Sequence, residues 1–344
     1  MADIAIRKEG RAGRITLNRP QALNALTYQM CLEIDAALIA WRDDPEVALV
    51  LIDAEGTRAF CAGGDIAEMY ATGTAGDYAY GRRFWHDEYR MNDRIAAYPK
   101  PVVSFLQGFT MGGGVGVGCH GSHRIVGETS QIAMPECGIG LVPDVGGSFI
   151  LARAPGHLGA YVGTTGARLG PADAILVGFA DLFVPEAGWE ALKARLIVTG
   201  DPAEIVATPA PDGRLAAAQD EIDAHFGKPD LAAIAKALGA SGTPFAAEAL
   251  KALTRAAPLS AACTVAMIRR LGPVATLREA LALEYRFTYR SMQHADFLEG
   301  IRAQIIDKDR NPRWRHAGPG AVPREDVDFM LAPLGDAELS FEED

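Results

Sequence analysis

Residues 3–20, DIAIRKEGRAGRITLNRP, alternate apolar and polar positions around Glu9 to Arg14, the period-two signature of a β-hairpin that turns there. Leu32, Ile34, Ala37 and Leu38 then return at helical spacing, which predicts a helix over residues 27–42. VALVLIDAEG, residues 47–56, is a continuous apolar run that ends in turn residues, the pattern of a buried strand. A polar helix is predicted over 77–97. It stops at Tyr98-Pro99-Lys100-Pro101, and PVVSFLQG, residues 101–108, reads as a second buried strand. Short strands follow at HRIVGE and QIAMPE, and from about residue 186 the pattern turns to alanine- and leucine-rich helical periods. Strand, loop, helix and strand again is an α/β order. The expected division is an α/β core with the active site over 1–200 and a helical C-terminal region over 201–344, with PAPDG (209–213) in the link. The tail GDAELSFEED is acidic and expected to fray at its end. There is no internal repeat.

Composition narrows the functional classes. A hydrophobic fraction of 49% over 344 residues fills one large core or two modest ones. The 33 basic residues against 44 acidic give a net charge of -11, which disfavours a nonspecific nucleic-acid or anionic-membrane surface. Cys31, Cys61, Cys119, Cys137 and Cys263 are odd in number and widely spaced, with no CxxC pair. They point away from a disulfide framework and from a zinc site, and towards a reducing cytoplasm. MADIAIRKEG is too polar for a signal peptide, and no apolar run reaches the roughly 18 residues of a membrane span.

Two glycine-rich segments each follow a predicted strand: FCAGGDIAEMY (60–70) and GFTMGGGVGVGCHG (108–121). Neither has the lysine and Ser/Thr ending of a phosphate loop nor the GxGxxG spacing of a dinucleotide site. Gly112 to Gly114 open a helix-compatible run, so their N–H groups point outward with no side chain in the way. A second N–H from Gly63 and Gly64 completes a two-donor oxyanion hole of the kind used in acyl transfer and enolate chemistry. The competing role is structural: glycines permit tight packing and positive φ. A third segment, AMPECGIGLVPDVGG (133–147), sets Glu136 and Asp144 among apolar residues, glycine and proline. A carboxyl so desolvated has a raised pKa and suits base or nucleophile chemistry, although Asp144 also stands where it would cap the helix that starts at VGGSFILARA.

FCAGGDI, GFTMGGGVG and MPE, in that order after ITLNRPQALNAL, resemble the crotonase (enoyl-CoA hydratase/isomerase) superfamily over almost the whole chain. The resemblance implies a ClpP/crotonase-like superhelix of ββα units with a C-terminal helical region. It also implies an acyl-coenzyme A thioester as substrate and Gly64 and Gly113 as backbone oxyanion donors, with Gly63 alongside. Hydratases of the superfamily carry one glutamate just after the glycine triplet and another in the PE motif. Here the first position is Gly116 and only Glu136 remains. Asp144, the signature MGGGVGVGCHG, the phrase GLVPDVGG and the C-terminal LREALALEYRFTYRSM and HADFLEGIRAQIIDKDRNPRW are instead similar to the 3-hydroxyisobutyryl-CoA hydrolase family, thioesterases of valine breakdown. That likeness implies Glu136 as nucleophile or base, Asp144 as the group that holds water or the substrate hydroxyl, and Glu88 near the acyl group.

No metal and no separate cofactor is expected, since coenzyme A is part of the substrate; the chain is expected to be a monomer or a homo-oligomer, trimer or hexamer. Cys137 and His120 lie near these motifs without a pairing motif for nucleophilic catalysis. Asp65 is expected to shape its loop, and Lys308 either meets CoA phosphates or is simply solvated. The rival activities are hydration or isomerisation of an enoyl-CoA, and binding of acyl-CoA without turnover.

Overall fold

The computed structural model describes residues 2–341, so the expected fraying of the last residues falls outside the described part. The predicted hairpin forms from β1 (Ile4–Glu9) and β2 (Ala12–Leu17), antiparallel with Ile6 opposite Ile15. The first helix, α1 (Tyr28–Trp41), starts where Thr27 accepts the Met30 N–H at 3.2 Å and buries Ile34, Ala37 and Leu38.

From there strands come in pairs: β3 (Leu49–Ala54) with β4 (Ala59–Cys61), β5 (Val102–Phe105) with β6 (Phe109–Met111), and β7 (His123–Val126) with β8 (Gln131–Ala133). The first member of each pair joins a six-stranded sheet in the order β1-β2-β3-β5-β7-β9, closed by the short β9 (Leu182–Phe183), and the second joins a three-stranded parallel sheet β4-β6-β8. Each ββα repeat therefore adds one strand to each sheet, which is the superhelix that the sequence motifs imply. Leu49, Leu51, Val103, Phe105 and Ile125 of the larger sheet bury one face against Trp189, Leu192 and Leu196, with the Phe105 and Trp189 rings edge to face at 5.2 Å.

Contacts divide the chain into two compact units: Met1–Asp65 with Asp87–Ala133 and Arg168–Arg214, and Ile66–His86 with Met134–Ala167 and Leu215–Asp344. This differs from a single cut near residue 200. The chain passes repeatedly between the units, and such crossings leave no mark in local periodicity. The first unit holds both sheets. The second is helical, built around the helix Pro258–Leu271, against which the helices Leu158–Thr165 and Leu277–His294 pack. The helix Leu277–His294 begins with a capping box: Thr276 accepts from the Glu279 N–H, and the Glu279 carboxylate accepts from the Thr276 N–H at 2.6 Å. Among the described residues no helix is long and apolar enough to cross a membrane.

Candidate active site

In the first unit, residues 62–65 lie beside Leu26 as a short parallel bridge, with Leu26 N–H donating to Gly63 O at 2.9 Å and Asp65 N–H donating to Leu26 O at 2.8 Å. Alternation along an extended backbone turns the Gly64 N–H to the other side. Arg19 pins this segment, its guanidinium 3.1 Å from the Asp65 carboxylate, so Asp65 shapes the loop as expected. Gly113 is the first residue of α2 (Gly113–Gly118), entered through Gly112 at φ +48°, a left-handed conformation that favours glycine. Neither the Gly64 nor the Gly113 N–H donates to an acceptor among the described residues.

The two glycines converge. A methyl group on Gly113 would stand 3.3 Å from Gly64 N and 3.0 Å from Oε1 of Glu88, so Gly64, Gly113 and the buried Glu88 share one spot. The next glycine has another purpose: a Cβ on Gly114 would meet the Cys61 carbonyl oxygen at 2.2 Å, so Gly114 is there for helix–strand contact. Gly116, where hydratases of the superfamily carry a glutamate, is buried within α2.

In the second unit, Glu136 opens a 3-10 turn (Glu136–Ile139) that Gly140 closes at φ +77°. Glu136 is buried, and its Oε2 receives no hydrogen bond from the described residues. Burial, then the neighbouring charge of Asp144, push its pKa well above the ordinary carboxyl value; its own backbone N–H pulls the other way, and Glu284 adds a smaller push. Asp144, also buried, precedes a strained turn. Val145 has φ +51° and Gly146 φ +81°, and Gly147 N–H donates to Asp144 O at 2.7 Å, the pattern of a type I′ turn. A β-branched residue in that region costs on the order of 1–3 kcal/mol. The helix that follows, α3 (Gly147–Arg153), has Gly146 at its N-cap, so the capping role open to Asp144 is not the one it fills.

That end is held from far along the chain. Glu284, fully buried on the helix Leu277–His294, accepts from Gly146 N at 2.8 Å, from Ser148 N at 3.0 Å and from the Ser148 hydroxyl. Burial raises its pKa to about 8 against the pull of these donors. Glu284 is not among the residues singled out from the sequence. A signal was present, since it sits four residues after Ala280 and four before Thr288 on a helix face that is otherwise buried and uncharged.

Cys137 does not suit nucleophilic chemistry. Its Sγ sits 3.3 Å from both Gly163 O and Thr264 Oγ1, and burial pushes its pKa up to about 12. Cys137→Ala is therefore expected to keep steady-state turnover within about twofold of wild type while lowering the thermal midpoint by a few degrees, as a small buried truncation does. His120 is half-buried beside the end of α2, and Lys308 is exposed. Among the described residues no cluster of three or more His, Cys, Asp or Glu side chains is placed to hold a metal.

The chain has extensive relatives among known proteins. A family model described as "Enoyl-CoA hydratase/isomerase" matches residues 12–331. The Gallus gallus protein named "3-hydroxyisobutyryl-CoA hydrolase, mitochondrial" is 38% identical over 351 residues, covering 98% of this chain and 91% of its own. Among solved structures, one described as an enoyl-CoA hydratase from Rhodobacter sphaeroides 2.4.1 is 65% identical, with a TM-score of 0.97 over 99% of this chain and 100% of its own. Another, described as a carnitinyl-CoA dehydratase from Mycobacterium thermoresistibile, is 41% identical, with a TM-score of 0.95 over 100% of both chains. The chain belongs to the enoyl-CoA hydratase/isomerase (crotonase) family, and it is an enzyme of that family with the fold the motifs imply.

Proposed function

We propose that the chain is an acyl-CoA thioesterase that hydrolyses 3-hydroxyisobutyryl-CoA to 3-hydroxyisobutyrate and CoA, a step of valine breakdown. The observation that carries this reading is Glu136: a buried carboxylate of raised basicity with one oxygen free of protein hydrogen bonds. The 38% identical Gallus gallus hydrolase supports it over nearly the full length. Gly64 and Gly113 hold the oxyanion as the thioester carbonyl becomes tetrahedral, each donor worth about 3 kcal/mol in acyl-transfer sites. Glu136 either takes a proton from water as the water oxygen bonds to the carbonyl carbon, or attacks that carbon itself to give an anhydride that water then opens. In both routes the C–S bond breaks and the CoA sulfur leaves as the thiolate and takes up a proton. Asp144 orients the water or the substrate hydroxyl, and Glu88 and Gly63 line the acyl group. No cofactor takes part, and the buried thiols suit a reducing cytoplasm.

Hydration of an enoyl-CoA is the second reading, favoured by the 65% identical Rhodobacter sphaeroides protein, which is described as a hydratase. It calls for an acid and a base on adjacent carbons, and Gly116 offers neither. On the thioesterase reading Glu136 works ionised. The rate is then low below its raised pKa and climbs as pH rises through it, so the acid limb of kcat/KM should lie above the ordinary carboxyl value near 4.5. A profile of CoA release from pH 4 to 9 checks this, and a limb at the ordinary value would remove Glu136 from the role of base.

A further inference from the structure

We propose that Glu284 is a positioning residue for this reaction: it clamps the strained turn that carries Asp144, and it sets a third carboxylate against the Glu136–Asp144 pair. The inference rests on the thioesterase reading above. Its basis is geometric. Val145 and Gly146 both occupy left-handed conformations, which a β-branched residue does not keep unless its surroundings hold it there. Glu284 supplies part of that hold: it accepts the Gly146 N–H on one oxygen and the Ser148 N–H and hydroxyl on the other. The N-cap of α3, Gly146, has no side chain of its own to do this. A residue 138 positions away in the chain thus fixes the backbone immediately after Asp144.

Burying a carboxylate to hold a turn is costly. Its charge has a use. The groups that act on Glu136 are Asp144 and Glu284, both anionic when ionised, and each makes Glu136 more basic. The helices Leu158–Thr165, Pro258–Leu271 and Phe297–Ile301 pack against the Glu136 turn, yet Tyr161, Cys263, Arg269, Arg270 and Glu299 on them are not among the charges acting on it. Burial raises the pKa of both Glu136 and Glu284, so an ionised Glu284 holds back the last of the proton loss from Glu136.

Glu284→Gln tests both halves. An amide has one accepting oxygen, so its NH2 must face a donor at either Gly146 or Ser148, and the turn loosens. Relative to wild type, kcat for CoA release should fall about tenfold at the pH optimum with KM within about twofold. The upper end of the acid limb should also move to lower pH: Glu284 ionises at about pH 8 and there holds back proton loss from Glu136, so the variant should reach its plateau rate about half a pH unit or more before wild type. A packing role alone lowers the melting temperature and leaves the limb in place, and that result overturns the proposal. If Glu284→Gln does not fold, Ser148→Ala keeps the charge and removes one donor. A two- to fivefold lower kcat with an unmoved limb supports the clamp, and an unchanged kcat sinks it.

Carboxyl carbon-13 NMR titration of Glu136 in wild type and Glu284→Gln reads the coupling without any turnover. A lower Glu136 midpoint in Glu284→Gln upholds the coupling even if no thioester is hydrolysed, in which case it is the thioesterase reading that fails. An unmoved midpoint in an active Glu284→Gln enzyme defeats the inference alone.

Discussion

Glu136→Gln loses about a thousandfold or more of the wild-type rate of CoA release and keeps its fold. The size follows from the chemistry: a positioned general base contributes about 100- to 10,000-fold, and a lost nucleophile costs more. The amide can neither take the proton nor attack. The sign of the stability effect separates this from unfolding. Burial disfavours the charged form of Glu136, so its folded-state pKa lies above its unfolded value. A group shifted in that direction contributes stability that is fully present below the unfolded pKa and is lost as pH rises through the folded one. At neutral pH the carboxylate therefore works against the fold, and a neutral amide of the same shape should leave the melting temperature equal or higher. An inactive variant that melts well below wild type would mean that Glu136 is structural. The same sign holds for Glu284, whose contribution is lost between the ordinary carboxyl value and about 8. Two carboxyls held at the expense of stability are what a working site calls for.

Gly113→Ala lowers kcat by about ten- to a hundredfold, with a wild-type circular dichroism spectrum. The added methyl lands 3.0 Å from Glu88 Oε1 and 3.3 Å from Gly64 N. The glutamate end can swing aside by a few tenths of an ångström, but Gly64 N belongs to a backbone fixed by the Leu26 bridge and the Arg19–Asp65 pair. The contact therefore spreads the two N–H donors. Loss of one oxyanion donor costs about 100- to 1,000-fold, and partial displacement a share of it. Stopped-flow measurement of kcat separates this from weaker binding, which would appear in KM alone. An unchanged kcat would count against Gly113 as a donor.

What was legible in the sequence was local. The hairpin, α1, β3 and β5 announce themselves because each pattern runs for several residues within one element. The three-residue strands β4 and β6 do not, since Ala59–Cys61 and Phe109–Met111 are strands only through their partners. The site divides in the same way. Gly64, Gly113, Glu136 and Asp144 lie inside contiguous motifs, so the resemblance proposes them, and the structure adds what stands beside two of the glycines: Gly64 and Glu88 beside Gly113, Cys61 beside Gly114. Glu284 shares no motif with Ser148. Its role depends on a bond spanning 136 residues, and neither the hydrolase-like segment LREALALEYRFTYRSM that contains it nor its odd place on an uncharged helix face names that partner.

The most direct test of the central claim is the fate of 3-hydroxyisobutyryl-CoA mixed with purified wild-type protein, followed at once by thiol titration and by ultraviolet absorbance. The thioesterase account predicts one free CoA thiol for each acid formed, with no conjugated thioester. Loss of water to a conjugated enoyl-CoA, with the thioester intact and no thiol released, would contradict it and make the chain a hydratase.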